Sequence, residues 1–247
     1  MVESEEKVDV IVLTKNSERL LRKCLASIYE NVPVNTLIIV DGYSTDTTLD
    51  IAKEFQEKHG NIVLIKTKGT RGYARQRALK EVKTNWFMFV DSDVILCKDW
   101  FKKAVPFMKS DVGAIWGMEI WSVLKNKRVF DLFARMNMKI FRQRGGTHDT
   151  LVRRKAVEDI KIPENLHTYE DAYIKSWISK KGFNVLPTYD PYCIHYRPGN
   201  VWTVKESINL IATDLKQAIR HPQLFLSYAF FALIVLHQML VNISKKR

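Results

Sequence analysis

Short apolar runs alternate with stretches of helical periodicity through the first half of the chain. Val8 to Leu13 is apolar and rich in β-branched residues, the pattern of a buried strand. Leu20, Leu21, Cys24, Leu25 and Ile28 then recur on one helical face, with Ser17 placed to cap it. Leu37 to Val40 is the next strand-like run, and Asp46 can cap a helix carrying Leu49, Ala52 and Phe55. Asn61 to Lys66 predicts a strand, Gly72 to Val82 a helix, and Trp86 to Val90 a strand. Asp99 opens a helical stretch with Trp100, Ala104 and Met108, and Val112 to Met118 predicts a further strand. Strand and helix alternating over short connections imply an α/β fold: a mostly parallel, right-handed sheet flanked by helices. Ligands of such sheets bind beyond the carboxyl ends of the strands. That rule puts Thr14 to Asn16, Asp41 to Asp46 and Asp91 to Asp93 on one rim.

The second half is less regular. Val129 to Arg142 is a helix candidate with Phe133, Met136 and Ile140 on one face. Arg144 to Thr150, with Gly145-Gly146, predicts a mobile loop. Glu170 to Lys181 predicts a helix closed by Gly182. Residues 1–204 are expected to form the catalytic domain and 205–247 a helical C-terminal tail. In the tail Ile208, Ile211, Leu215 and Ile219 share a helical face, and Leu224 to Val241 is almost wholly apolar. Those residues would span about 27 Å as a helix, against a hydrocarbon core of about 30 Å. A transmembrane helix, an in-plane anchor, a dimerising helix and a helix packed on the domain are all open readings. Basic amphipathic and apolar helices in succession favour membrane association.

Composition narrows the partners. With 247 residues, 46% of them hydrophobic, the chain can bury a sizeable core. Its formal charge of +12 favours polyanionic partners, but neither an RNP-like nor a helix-turn-helix signature accompanies it. The expectation is therefore no nucleic acid. Cys24, Cys97 and Cys193 are far apart with no CxxC pair, which fits reduced thiols in the cytoplasm. The acidic N-terminus has no apolar core and is not a secretory signal. GxGxxG and Walker A patterns are both missing.

The chemistry gathers at carboxylates after apolar runs. Asp91-Ser92-Asp93 alone fits a turn and a helix cap. It also fits a hard cation such as Mg²⁺, which takes one or two carboxylates plus a substrate diphosphate. Asp41 ends the preceding strand pattern, where burial makes an unpaired carboxylate costly. Thr168 and Asp171 in HTYED have capping-box spacing. His195 in CIHYR follows an apolar stretch and can be structural. His148 and Asp149 fit an ordinary solvated loop.

VIVLTKN, LIIVDGYSTDTT, GYARQRAL, WFMFVDSDV and TYED, in this order, resemble an inverting family 2 glycosyltransferase of the GT-A fold over residues 7 to 200. Asp41-Gly42 stands where the family commonly has two aspartates, and Gln76 where it usually has asparagine. The resemblance implies that Asp41 accepts from the imino N–H of uracil or guanine and that Thr14 and Asn16 line the nucleotide pocket. It implies that Arg71 and Arg75 face the diphosphate, a match for guanidinium geometry. Asp93 would ligate a divalent cation, Mg²⁺ or Mn²⁺, joined by Asp91, which would otherwise bind the ribose, and by His195, with Arg197 nearby. Asp171 would be the catalytic base, with Glu170 as runner-up or support. The implied reaction moves a sugar from a UDP or GDP donor to a hydroxyl or polyprenyl-phosphate acceptor, at the cytoplasmic face of a membrane, with a homodimer as a further option. A nucleotidyltransferase and a non-catalytic membrane- or polyanion-binding module are the alternatives.

Overall fold

In the computed structural model the described residues are 6–121, 146–164, 166 and 170–196, with single positions at 208, 211, 212, 215, 219, 236 and 240. The predicted helix at 129–142 lies outside them, as do His167, Thr168, Tyr169, Arg197 and most of the tail. The chain divides into two compact units, residues 1–130 with 145–196, and residues 131–144 with 197–247. All the strands and helices below belong to the first.

In chain order they are β1 (Val8–Thr14), α1 (Glu18–Asn31), β2 (Val34–Asp41), α2 (Thr48–His59), β3 (Ile62–Lys66), α3 (Arg71–Leu79), β4 (Trp86–Asp91), β5 (Val94–Leu96), α4 (Trp100–Ala104), β6 (Val112–Trp121), β7 (Asp149–Arg153), α5 (Glu170–Lys180) and β8 (Asn184–His195). They form one sheet in the order β3-β2-β1-β4-β7-β6-β8-β5.

Side chains alternate across each strand, so the continuous apolar runs supply two cores at once. Val8, Val10 and Val12 face Leu21, Cys24, Leu25 and Ile28 of α1 and Ile51, Ala52 and Phe55 of α2. Ile11, Phe87 and Phe89 face the opposite layer, with Ala78 of α3 and Ile174 and Ile178 of α5. The periodicity read for α1 is thus its inner face, and on α2 Ala52 and Phe55 point inward with Ile51, while Leu49 is not among that core.

The sheet is parallel from β3 to β4, as the first half of the sequence predicts. Six of the eight strands run one way, as the expected mostly parallel sheet requires, and two in its other half, β7 and β5, run against them. β7 runs antiparallel to both β4 and β6, and β5 antiparallel to β8, while β6 and β8 are parallel. The sheet is therefore mixed.

The helix starts also differ in detail. Ser17 occupies the cap of α1 without a side-chain cap bond; its hydroxyl lies 3.0 Å from that of Ser92 instead. Thr47, not Asp46, precedes α2. The Asp46 carboxylate accepts from the backbone N–H of both Thr48 (3.0 Å) and Glu18 (3.1 Å). Glu18 reciprocates, accepting from Thr47 N–H and its hydroxyl. Ser17 N–H donates to Thr48 Oγ1 and Asn16 Oδ1 accepts from Thr45 N–H. These bonds stitch the β1–α1 loop to the β2–α2 loop. Gly182, at φ 84°, follows α5 where a left-handed residue ends a helix.

Candidate active site

Parallel register brings the ends of β1, β2 and β4 together, the last two bearing acids. Thr14 is level with Asp41, and Leu13 with Asp91. Asp41 is fully buried. Its Oδ1 accepts from the Thr14 hydroxyl (2.9 Å) and the Ser44 hydroxyl (2.5 Å), and its Oδ2 from Ser44 N–H (2.8 Å). The carboxylate is held by three side-chain or backbone atoms, from the end of β1 and the loop after β2, and keeps acceptor capacity on Oδ2. Beside it Tyr43 is half exposed at φ 59°, with the Lys68 ammonium over its ring. Sequence patterning did not single out Tyr43, although a non-glycine residue in the left-handed region is uncommon.

Asp91 and Glu170, 79 residues apart, are joined by one side chain. The Arg75 guanidinium is buried over the Phe89 ring. Its Nη2 donates to Asp91 Oδ1 (3.3 Å) and to the Thr147 hydroxyl, and its Nε donates to Glu170 Oε1 (3.3 Å). Its Nη1 has no partner. Burial opposes ionisation of Asp91, but Arg75, His195, His148 and Arg71 outweigh it and hold the carboxyl below its ordinary value. At Glu170 burial wins: with the neighbouring Asp171 charge it raises the carboxyl above its ordinary value against the pull of Arg75. Arg71, exposed at the first position of α3, is the solvent-facing cation beside these acids. Asp171 is half-buried and lines a small cavity with Thr147, Trp116 and Lys175. Its Oδ1 accepts from Ala172 N–H (2.7 Å).

Asp93 meets His195 because β5 pairs with the end of β8, Val94 level with His195. His195 Nε2 lies 3.0 Å from Asp93 Oδ1. The other ring nitrogen, Nδ1, lies 2.6 Å from Glu119 Oε1. Cation-bound oxygens or nitrogens at bonds of about 2.1 Å and right angles sit about 3.0 Å apart, so this pair fits two adjacent ligands of Mg²⁺ or Mn²⁺. The carboxylate suits either ion, whereas the imidazole, softer than the oxygens Mg²⁺ takes, favours Mn²⁺.

His148 and Asp149 do not form a solvated loop. Asp149 is fully buried in β7 and His148 largely so. Asp149 Oδ1 lies 2.5 Å from His148 Nδ1, and Oδ2 accepts from the Trp100 indole N–H (2.8 Å). Thr147 and Thr150 are buried too. Cys193 completes a group whose ligand-type atoms lie within 4.8 Å of one another. Their hydrogen bonds to each other and to Trp100 account for that group, and burial holds the Cys193 thiol in its protonated form. Glu119 was not singled out either. Its signal was an acid inside the apolar run from Val112 to Trp121.

A mixed sheet with acids closing β2 and β4 defines the chain as an α/β protein of the GT-A type. Residues 9–159 match the family model described as glycosyl transferase family 2, and the chain belongs to that family. It is 31% identical over 115 residues to the poly(ribitol-phosphate) beta-glucosyltransferase of Bacillus spizizenii, 44% of this chain and 18% of that protein. It is 35% identical over 107 residues to the poly(ribitol-phosphate) beta-N-acetylglucosaminyltransferase TarS of Staphylococcus aureus, 41% of this chain and 19% of that one. The matches thus span about a fifth of these relatives' length. In fold it resembles the mannosyltransferase PcManGT of Pyrobaculum calidifontis in complex with GDP-Man and Mn²⁺, with a TM-score of 0.67 and 18% identity over 96% of this chain and 75% of that one. TarS residues 1–349 with UDP-GlcNAc give a TM-score of 0.61 at 20% identity, over 86% of this chain and 66% of that one.

Proposed function

We propose that the protein transfers a sugar from a UDP- or GDP-type donor to a hydroxyl or lipid-phosphate acceptor, in one displacement with inversion, assisted by Mg²⁺ or Mn²⁺. The observation that carries this reading is the Arg75 bridge from Asp91 to Glu170, which sets the acids after β4 beside the acids that open α5. Family membership supports the reaction class. The ligands named for PcManGT and TarS, GDP-Man with Mn²⁺ and UDP-GlcNAc, support the donor class and the cation. The poly(ribitol-phosphate) relatives support a glycan-type acceptor.

Each residue then has a task. Asp41, braced by Thr14 and Ser44, accepts from the imino N–H of the base, with Thr14 and Asn16 lining that pocket. Arg71 receives the diphosphate from the solvent side, where Arg75 contributes at most its unpartnered Nη1. Asp93 and His195 hold the cation, with Asp91 at the ribose or at the cation's edge. A bound cation supplies Lewis acidity that stabilises charge on the departing nucleoside diphosphate. Asp171 takes the proton of the acceptor hydroxyl as that oxygen attacks the anomeric carbon from the face opposite the leaving group. Glu170 is buried against Arg75, so it supports rather than replaces Asp171 as base.

Among the described residues no helix is long and apolar enough to cross a membrane. Ile208, Leu215 and Ile219 of the tail are exposed, which supports its docking on a membrane surface, and binding to anionic liposomes checks this. The decisive test of the function is a thermal-shift panel of UDP, GDP, CDP and ADP, each with Mn²⁺, Mg²⁺ or EDTA. A ligand that binds only the folded state raises its apparent stability. A metal-dependent shift with UDP or GDP is expected; no shift with any nucleotide would overturn the reading.

A further inference from the structure

We propose that Glu119, which lies beside the buried His148–Asp149 pair, is a positioning residue that orients His195 toward the cation. The proposal rests on the reading of Asp93 and His195 as cation ligands. From Asp93 inward, carboxylates and imidazoles alternate across β8, β6 and β7. His195 Nε2 faces Asp93 Oδ1 at 3.0 Å, and its Nδ1 faces Glu119 Oε1 at 2.6 Å. Glu119 Oε2 faces His148 Nε2 at 3.9 Å, and His148 Nδ1 meets Asp149 Oδ1 at 2.5 Å.

A neutral imidazole binds a cation only through the nitrogen that lacks a proton. An ionised carboxylate offers acceptors alone. Glu119 therefore keeps the proton of His195 on Nδ1 and leaves the Nε2 lone pair for a cation shared with Asp93. Outer carboxylates of this kind fix the ring and raise its basicity as a ligand.

Glu119 is in turn held in a built position. It sits in β6 level with Cys193 of β8, one alternation from the glycine that admits Asp149. A Cβ at that glycine, Gly117, would lie 1.7 Å from Asp149 Oδ2. Asp149 is anchored at the far end by the Trp100 indole. Three strands and α4 thus set the angle of one imidazole at the rim.

The test uses the full chain with Mn²⁺ and either UDP or GDP. Free Mn²⁺ is read by electron paramagnetic resonance, and imidazole ligation by ¹⁴N coupling to the bound ion. Wild type should bind Mn²⁺ with ¹⁴N coupling. Glu119→Ala should bind it about 10–100-fold more weakly and lose the coupling. Glu119→Gln keeps an acceptor for Nδ1–H, so it should keep the coupling and fall at the low end of that range. Nucleotide affinity in EDTA should stay within about twofold of wild type for both variants, which a general loss of structure would not allow. Wild-type Mn²⁺ affinity in Glu119→Ala overturns the proposal; if that variant does not melt cooperatively, wild-type affinity in Glu119→Gln overturns it. No Mn²⁺ uptake by the wild type with either nucleotide overturns the cation reading and this proposal with it, an outcome distinct from uptake that ignores Glu119.

Discussion

Arg75→Met removes the cation that two carboxylates share. The methionine keeps much of the aliphatic bulk over Phe89 but strips Glu170, 5% exposed in its side chain, and Asp91, 33% exposed, of the buried cation they share, with Arg71 and, for Asp91, His148 and His195 as the remaining positive groups. Breaking a buried ion pair from one side costs about 3–5 kcal/mol, because the remaining charge stays desolvated. For a unit of this size each kcal/mol moves the melting temperature by about 2–4 °C, so a fall of about 6–20 °C is expected. The sign of the pH dependence is also fixed. A carboxyl whose folded-state value is raised holds its proton more tightly when folded, so its contribution is present at low pH and lost as pH rises through that value. Glu170 is already raised by burial, and without Arg75 both carboxyls move upward. The deficit of the variant should therefore be largest near pH 8 and should shrink toward pH 5 as the acids take up protons. Differential scanning calorimetry at several pH values measures this. A deficit below about 1 kcal/mol, or one that does not change with pH, would refute the idea that Arg75 is the counter-charge for both acids.

Four further outcomes follow from the geometry. Asp93→Ala should abolish the extra thermal shift that Mn²⁺ adds to a nucleoside diphosphate and leave the shift in EDTA unchanged. Asp171→Asn should keep donor binding by calorimetry while transfer falls about 10²–10⁴-fold, the usual worth of a general base; normal turnover would remove the base from this residue. Gly117→Ala should lower the melting temperature, because the new methyl group meets the Asp149 carboxylate at 1.7 Å and overpacking of this kind costs about 1–3 kcal/mol or more. Lys175, beside Trp116, is pushed down to about 8 by burial. Its charged form therefore weakens the fold below that pH, and Lys175→Met should melt higher than wild type near pH 7 but not above about pH 10.5.

The parallel half of the sheet was legible because Val8 to Leu13, Leu37 to Val40 and Trp86 to Val90 are buried on both faces and bounded by polar turns. The rim followed from the rule for ligand sites, since Thr14, Asp41 and Asp91 end those strands. The antiparallel strands were not legible. β7 is five residues with a polar start, β8 carries Pro187 and Pro191, and their partners lie far along the chain. Sequence patterning records local burial, whereas strand pairing over such separations is decided by packing. The same cause hid Glu119 and misplaced His148 and Asp149. A polar residue beside Gly145-Gly146 resembles a loop until a neighbouring strand buries it. Arg75 was expected at the diphosphate; that α5 would supply it with a second acid, and Thr147 with a hydroxyl, depended on contacts between distant segments.

The cross-stitching of the β1–α1 and β2–α2 loops bears on how donors are told apart. Asn16, Ser17, Glu18, Ser44 and Asp46 already hold each other through side-chain bonds before any base arrives. If the donor binds as proposed, a base entering between them would freeze little that was free, so the entropy that a floppy pocket surrenders on binding would be largely absent. Such a rim behaves as a fixed gauge. On the proposed reading it would accept or refuse a nucleobase by the shape of its walls, and a change of donor preference would have to come from replacing those walls rather than from their movement.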